Sequence, residues 1–371
     1  MKGYYKYLGL IFFAVLLLGC NKSAISADEG EIDINTERRY IRFDSGISTR
    51  GALFMKDYLD ADFNVLGYQY PGSWTAAYSM EKPDVFQSTP QLVKYSNGIY
   101  TYSPIKAWTG NTYSFFGFYP SGSSYIKIFD NGTVKEGIPY ITYNVPQSTK
   151  PSDLIDIMTA SYIDTNIDVS PDVRLNMRHR LSAIDIGARN YYVQKITNGD
   201  TEESHIVTIE ITSLEMQVKT YTSAIIYLDG TTATTGTGSQ ILKYQMVASA
   251  TDIAPNSTDD TTLRLLTTDT GENATSLILV PQSNFLEGTL SLKYKKKYKN
   301  DNEEYVYIGN EESVNNEESV NVDLKTLERS LVEGRRYTIE FTFTSDAVSI
   351  NISVVNEWDE INKDDLKHEF E

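Results

Sequence analysis

Cysteine is almost missing from this 371-residue chain, which carries one, at position 20. A single thiol excludes an internal disulfide framework and any cysteine-built zinc or iron–sulfur centre. Histidine is nearly as scarce: His179, His205 and His368 lie far apart, so no metal-ligand or triad spacing can be read from them. Positive charge is outnumbered, with 33 Lys and Arg against 50 Asp and Glu for a formal charge of −17. The basic face that a phosphate backbone demands is therefore unsupported, and no nucleic-acid partner is expected. Catalytic signatures are absent too: no G-x-S-x-G, H-E-x-x-H, Walker A, G-x-G-x-x-G or EF-hand loop occurs. Paired carboxylates for glycoside hydrolysis are a matter of spatial separation, and no pair is singled out among so many acids. The expectation is a protein that is not an enzyme, with no catalytic residues, no metal and no cofactor.

What is present is a chain 40% apolar and 12% aromatic, with 27 Tyr and 14 Phe. That composition is globular, and the length suits about two domains of ~150 residues. The first residues, MKGYYKYLGLIFFAVLLLGC, set two lysines before an apolar run from Leu8 to Leu18. The run is too short for a spanning helix, which needs ~20 residues, and reads as a signal peptide over 1–19. Its ending, Leu17-Leu18-Gly19-Cys20, resembles the lipobox of bacterial lipoproteins, in which the chain is cut before the cysteine and the thiol takes a diacylglycerol. Cys20 is thus the expected lipid attachment site. Loss of the first 19 residues, with Lys2 and Lys6, leaves 352 residues and a formal charge of −19. Residues 20–31 are polar, acidic and aperiodic, and read as a flexible tether.

Beyond the tether, short alternating runs recur between Gly, Pro, Asn, Asp and Ser clusters, the pattern of antiparallel sheets with one buried face. Val173, Leu175 and Met177 alternate with Arg174, Asn176 and Arg178; Tyr337, Ile339, Phe341 and Phe343 alternate with Thr338, Glu340 and Thr342. Val348, Ile350, Ile352 and Val354 repeat the pattern. Many short strands with frequent turns point to an all-β fold of sandwich type. A division is expected near 187–200, giving domains over 32–188 and 189–358 and a charged tail over 359–371. Lysines at 293, 295, 297 and 299 oppose Leu290, Leu292, Tyr294 and Tyr298, suggesting a hairpin whose lysines meet nearby glutamates or solvent. The repeat EESVN at 311–315 and 317–321 reads as duplication within an acidic loop. His179 is expected to be a satisfied strand residue.

Several segments together resemble the fimbrillin family, the Mfa-like lipoproteins that include type V pilus subunits. They are WTGNTYSFFGFYP over 108–120; Asp156-Ile157-Met158-Thr159-Ala160; VRLNMRHRLSAI over 173–184; Leu279-Val280-Pro281-Gln282; and Gly334-Arg335-Arg336-Tyr337-Thr338-Ile339. Met177 stands where the family usually has an aromatic. The resemblance implies two tandem transthyretin-like antiparallel β-sandwich domains. It also implies that a cut after an arginine releases the first strand of the N-terminal sandwich, whose groove then accepts a strand from another fimbrial subunit. Here residues 39–47 read as that strand, with Ile41 and Phe43 on one face, and Arg50 as the processing site; Arg38, Arg39 and Arg42 are alternatives. After Trp358 the apolar residues Ile361, Leu366 and Phe370 do not alternate as a donor strand should, which fits a tip or accessory subunit or a non-polymerised surface lipoprotein as well as a stalk subunit. The expected function is that of a fimbrial subunit or adhesin-type lipoprotein of the cell outer membrane or fimbrium, acting in pilus assembly and attachment to a glycan or protein receptor. The alternative is an outer-membrane glycan-binding lipoprotein of a nutrient-uptake system, using exposed Tyr or Trp as a stacking platform.

Overall fold

A computed structural model of the chain describes residues 40–47, 59–74, 83–86, 90–128, 138–166, 168, 172–198, 201–247, 249–256, 262–267, 276–308 and 316–355. Among them there is no α-helix. The first nine strands are β1 (Arg42–Ile47), β2 (Phe63–Tyr70), β3 (Gln91–Ser96), β4 (Ile99–Thr101), β5 (Thr112–Tyr119), β6 (Ile126–Ile128), β7 (Tyr140–Asn144), β8 (Met158–Thr165) and β9 (Asp172–His179). The next nine are β10 (Ser182–Asn190), β11 (Val193–Asn198), β12 (Thr201–Ile206), β13 (Thr208–Thr220), β14 (Ser223–Tyr227), β15 (Thr235–Thr237), β16 (Gln240–Gln245), β17 (Thr251–Ile253) and β18 (Arg264–Leu265). The last eight are β19 (Leu277–Leu279), β20 (Gln282–Phe285), β21 (Gly288–Lys299), β22 (Tyr305–Ile308), β23 (Glu317–Asp323), β24 (Ser330–Leu331), β25 (Arg336–Phe343) and β26 (Val348–Val355). The fold is all-β, packed as sandwiches, as the alternating runs require.

Seven strands form the first sheet in the order β1-β9-β8-β5-β2-β3-β4. Its centre is buried on both faces. Tyr113 and Phe115 of β5 join Phe63 and Val65 of β2 in one core, while Phe116 and Phe118 join Leu66, Tyr68 and Tyr70 in the other. Gly117 lies between these pairs because a Cβ there would stand 2.8 Å from Leu175 and 3.0 Å from Met177. The second core continues through the four-stranded sheet β15-β14-β7-β6, where Ile141, Tyr143, Ala224 and Ile226 belong to it. It runs on into the group β18-β10-β25-β26, with β19 on β10, and into β16-β13-β21-β22, with β17 on β13 and β23 on β21. β10 runs through residues 188 and 189, where the sequence suggests a division, and β7 pairs with β14. The pairings are antiparallel with two exceptions among the described strands, β1 on β9 and β10 on β25.

The alternating runs occupy the expected strands, with one difference. Thr338 and Glu340 alternate with the apolar residues of β25 but are themselves buried, because that face of β25 and β10 is covered by the described residues of 254–276. Gly187 admits this cover: Leu263 side-chain atoms lie 2.8 Å from where its Cβ would be. Charge under the cover is paired. Asp185 takes hydrogen bonds from Arg336, Ser276 and Thr267, and Arg189 donates to Glu340 at 2.6 Å. Aromatic richness is largely spent on packing, since Tyr and Phe make up most of the largest fully buried side chains.

The lysine run does form a hairpin, β21 with β22. Lys293 lies 3.5 Å from Glu317, Lys299 2.7 Å from Glu303, and Lys297 2.7 Å from Glu210 and 2.8 Å from Asp252. The second EESVN copy is not loop but most of β23, paired with β21; the first lies outside the described residues. The Lys297 hydrogen bond holds the Glu210 carboxyl below the usual carboxylate range, against a smaller upward push from burial. A carboxyl lowered in this way stabilises the fold fully above the ordinary glutamate range and loses that contribution as pH falls through its depressed value. Thermal melts of the wild type are therefore expected to fall more steeply below about pH 4 to 5 than those of Lys297→Met. Parallel pH profiles would contradict this pairing.

Candidate functional site: the N-terminal edge strand

β1 stands at the edge of the seven-stranded sheet and pairs along its whole length with β9, in parallel, from Arg42 opposite Asp172 to Ile47 opposite Met177. Its side chains alternate as the sequence suggests. Ile41, Phe43 and Ser45 are buried, at 1%, 6% and 0% exposure, while Arg42 and Asp44 face solvent. The Phe43 ring sits in an aromatic box, with centroids 5.4 Å from Phe115, 5.5 Å from Tyr102, 6.0 Å from Phe86 and 6.5 Å from Phe63. Such edge-on and tilted arrangements suit aromatic quadrupoles.

On its opposite edge the strand bonds to the 102–107 segment and to Leu59. Ile41 N–H donates to the Lys106 carbonyl at 2.9 Å, and Tyr40 bridges Ala107. The Tyr102 hydroxyl donates to the Ile41 carbonyl at 2.9 Å and accepts from Lys106 N–H at 3.1 Å. Burial pushes that phenol up to about 12, so it remains a donor at neutral pH. Near the other end, Leu59 N–H donates to the Ser45 carbonyl at 3.3 Å, and the Tyr100 hydroxyl donates to the Leu59 carbonyl. β1 is thus held by a parallel ladder, which is slightly weaker per residue than an antiparallel one, and by inward side chains. Burying Ile41 and Phe43 contributes about 1.5–3 kcal/mol each. β9 lies more than a hundred residues on in the chain, and no hairpin joins it to β1. β1 thus covers the backbone groups along one edge of β9 and one side of an aromatic core.

The recognised segments converge at the far end of β9. His179 is buried, with Nδ1 2.7 Å from Asp156, and Met158 pairs with His179 in the β8–β9 ladder. Arg180 is buried against Glu333, 3.0 Å away, and donates to the Thr232 carbonyl. Burial pulls its guanidinium down, which Glu333 and Asp229 oppose. Gly334 N–H donates to the Leu181 carbonyl at 2.9 Å, and Ser182 donates to the Val332 carbonyl at 2.7 Å. These segments therefore clamp β9 to the second half of the chain. His179 has the structural setting expected of it.

Cys20 and Arg50, the expected lipid and processing sites, lie outside the described residues, as do Arg38 and Arg39. Arg42 lies within β1, where its backbone is paired with Asp172. The closing residues Tyr102 and Lys106 were not legible as parts of the site, since nothing in a Pro-containing loop indicates which strand edge it covers. Among the described residues no group of His, Cys, Asp and Glu is arranged to hold a metal ion.

Comparison with solved structures gives a fimbrial protein from Bacteroides vulgatus at a TM-score of 0.54 and 17% identity, covering 86% of this chain and 99% of that one. A putative cell adhesion protein from Bacteroides uniformis aligns at 14% identity and a TM-score of 0.44, over 86% of this chain and 99% of that one. The fimbrial anchor protein Mfa2 from Porphyromonas gingivalis aligns at 12% and 0.35, again over 86% and 99%. At such identities the likeness to the first is one of fold. The search of curated proteins returns no match. A family model described as fimbrillin-like matches residues 73–358, most of the chain. With its segments in order across that span and an all-β fold shared with a fimbrial protein, the chain belongs to the fimbrillin-like family.

Proposed function

We propose that this protein is a subunit of a surface fimbrium, exported as a lipoprotein anchored to the outer membrane at Cys20, and that β1 is a removable plug. Cutting after Arg50 frees β1 from the rest of the chain, and a strand from another subunit takes its place, adding main-chain bonds along β9 and side chains to the vacated core. One observation carries this reading: an N-terminal strand, parallel to a sequence-distant partner and joined to it by no hairpin, that buries alternate side chains in the core. Family membership and the fold it shares with a fimbrial protein support the setting.

The anchor is tested in the producing cell. The uncut form of the protein is expected to partition with membranes and to carry a diacylglycerol mass on a chain beginning at Cys20, whereas uncut Cys20→Ala leaves the membrane fraction. An uncut form that is soluble and lipid-free contradicts the anchor. The processing step is tested by Arg50→Ala, which is expected to abolish the shorter form that begins at Gly51.

A further inference from the structure

The inward positions that β1 fills differ in size and chemistry. We infer that the groove accepts a strand carrying an aliphatic residue, an aromatic residue and a small residue at successive inward positions, and that this strand comes from a different kind of subunit. The inference rests on the proposed removal of β1, and it reads the groove from the residues that fill it now.

Three inward positions are distinct. Ile41 occupies the first, with its backbone held by Lys106 and Tyr102. Phe43 occupies the second, the aromatic box of Phe63, Phe86, Tyr102 and Phe115. Ser45 occupies the third, fully buried beside the Tyr100 phenol, where the Leu59 backbone crosses it at 3.3 Å. Deleting the ring at the second position would leave a cavity walled by side chains on β2 and β5, both fixed in the centre of the sheet. Enlarging the third would force Leu59 and Tyr100 apart. The groove therefore discriminates by a large requirement at its centre and a size limit at one end.

The chain offers no second match. Downstream of Leu59, nowhere do Val, Ile or Leu, then an aromatic, then Ser, Gly or Ala stand at i, i+2 and i+4. β26 presents Ile350, Ile352 and Val354 with no aromatic among them, and it is engaged along its length with β25. The apolar residues of the final segment, Ile361, Leu366 and Phe370, are not spaced by two. Residues 60–371 thus lack the required triad, and the occupant named by the pocket chemistry is a strand of another subunit.

The test uses the full chain with a site-specific protease sequence inserted within residues 48–58. After cleavage, labelled synthetic peptides are offered, and incorporation is followed by anisotropy and intact mass. A copy of residues 38–49 is expected to displace or replace β1. The same peptide with Phe43→Ala or with Ser45→Leu is expected to bind at least about tenfold more weakly, and a copy of residues 348–355 is expected not to enter. If the copy of 38–49 enters but either altered peptide binds within about threefold of it, or the 348–355 copy competes equally, the pocket inference is overturned while strand exchange stands. If no peptide enters, whether because β1 never leaves or because the emptied groove stays closed, the strand-exchange reading itself is overturned.

Discussion

Replacing Phe43 by alanine is expected to destabilise the chain by about 3–5 kcal/mol, read from urea unfolding of the N-terminal sheet. The ring is buried and ringed by four aromatics at 5.4–6.5 Å, two of them carried by the central strands β2 and β5, whose other face packs in the second core. Removing it therefore leaves a cavity that collapses poorly. The controls lie one residue to either side. Arg42 and Asp44 face solvent, and the Asp44–Arg174 approach of 3.9 Å joins two exposed groups, so Arg42→Ala and Asp44→Ala are expected to stay within about 0.5 kcal/mol of the wild type. Equal losses at all three positions would mean that the backbone ladder holds β1, and that no side-chain groove exists for a donor to fill.

An effect of similar size is expected at the buried charges of β10 and β25. Asp185→Ala strips Arg336 of its carboxylate in a site where both side chains are almost wholly buried, and a stranded charge of this kind costs about 3–5 kcal/mol. The substitution also removes the acceptor of the Ser276 and Thr267 hydroxyls, which tie the cover to the sheet. The double variant Asp185→Leu with Arg336→Met removes both charges at once. It is expected to recover more than half of the loss, because an apolar pair of similar volume replaces the ion pair without an orphaned group. Hydrogen exchange at Leu266, whose N–H donates to the Ile186 carbonyl at 2.8 Å, reports whether the cover loosens in the single variant and retightens in the double. A double variant no more stable than Asp185→Ala would contradict the account.

The sequence is legible where period two meets a buried face. Ile41 with Phe43, and Val173, Leu175 and Met177, announce the inward faces of β1 and β9 by their spacing alone. Alternation says which way a side chain points, however, and not which strand lies alongside, so the parallel pairing of β1 with β9 had no sequence signal. The same limit explains β25. Thr338 and Glu340 have the look of a solvent face, and become buried only because the described residues of 254–276 lie over them. The residue that could have hinted at this is Gly187, whose missing side chain makes room for Leu263. Charge was the more reliable guide at β21, where lysines beside Glu303 and Glu317 found those partners. Cys20 and Arg50 rest on sequence alone.

The most direct test of β1 as a removable plug is intact mass with N-terminal sequencing of the protein isolated from assembled surface fibres. The expected result is a chain beginning at Gly51, without lipid and without Ile41 and Phe43, associated with a strand of another subunit. Fibre-borne protein that in every copy begins at lipidated Cys20 and retains β1 would contradict it.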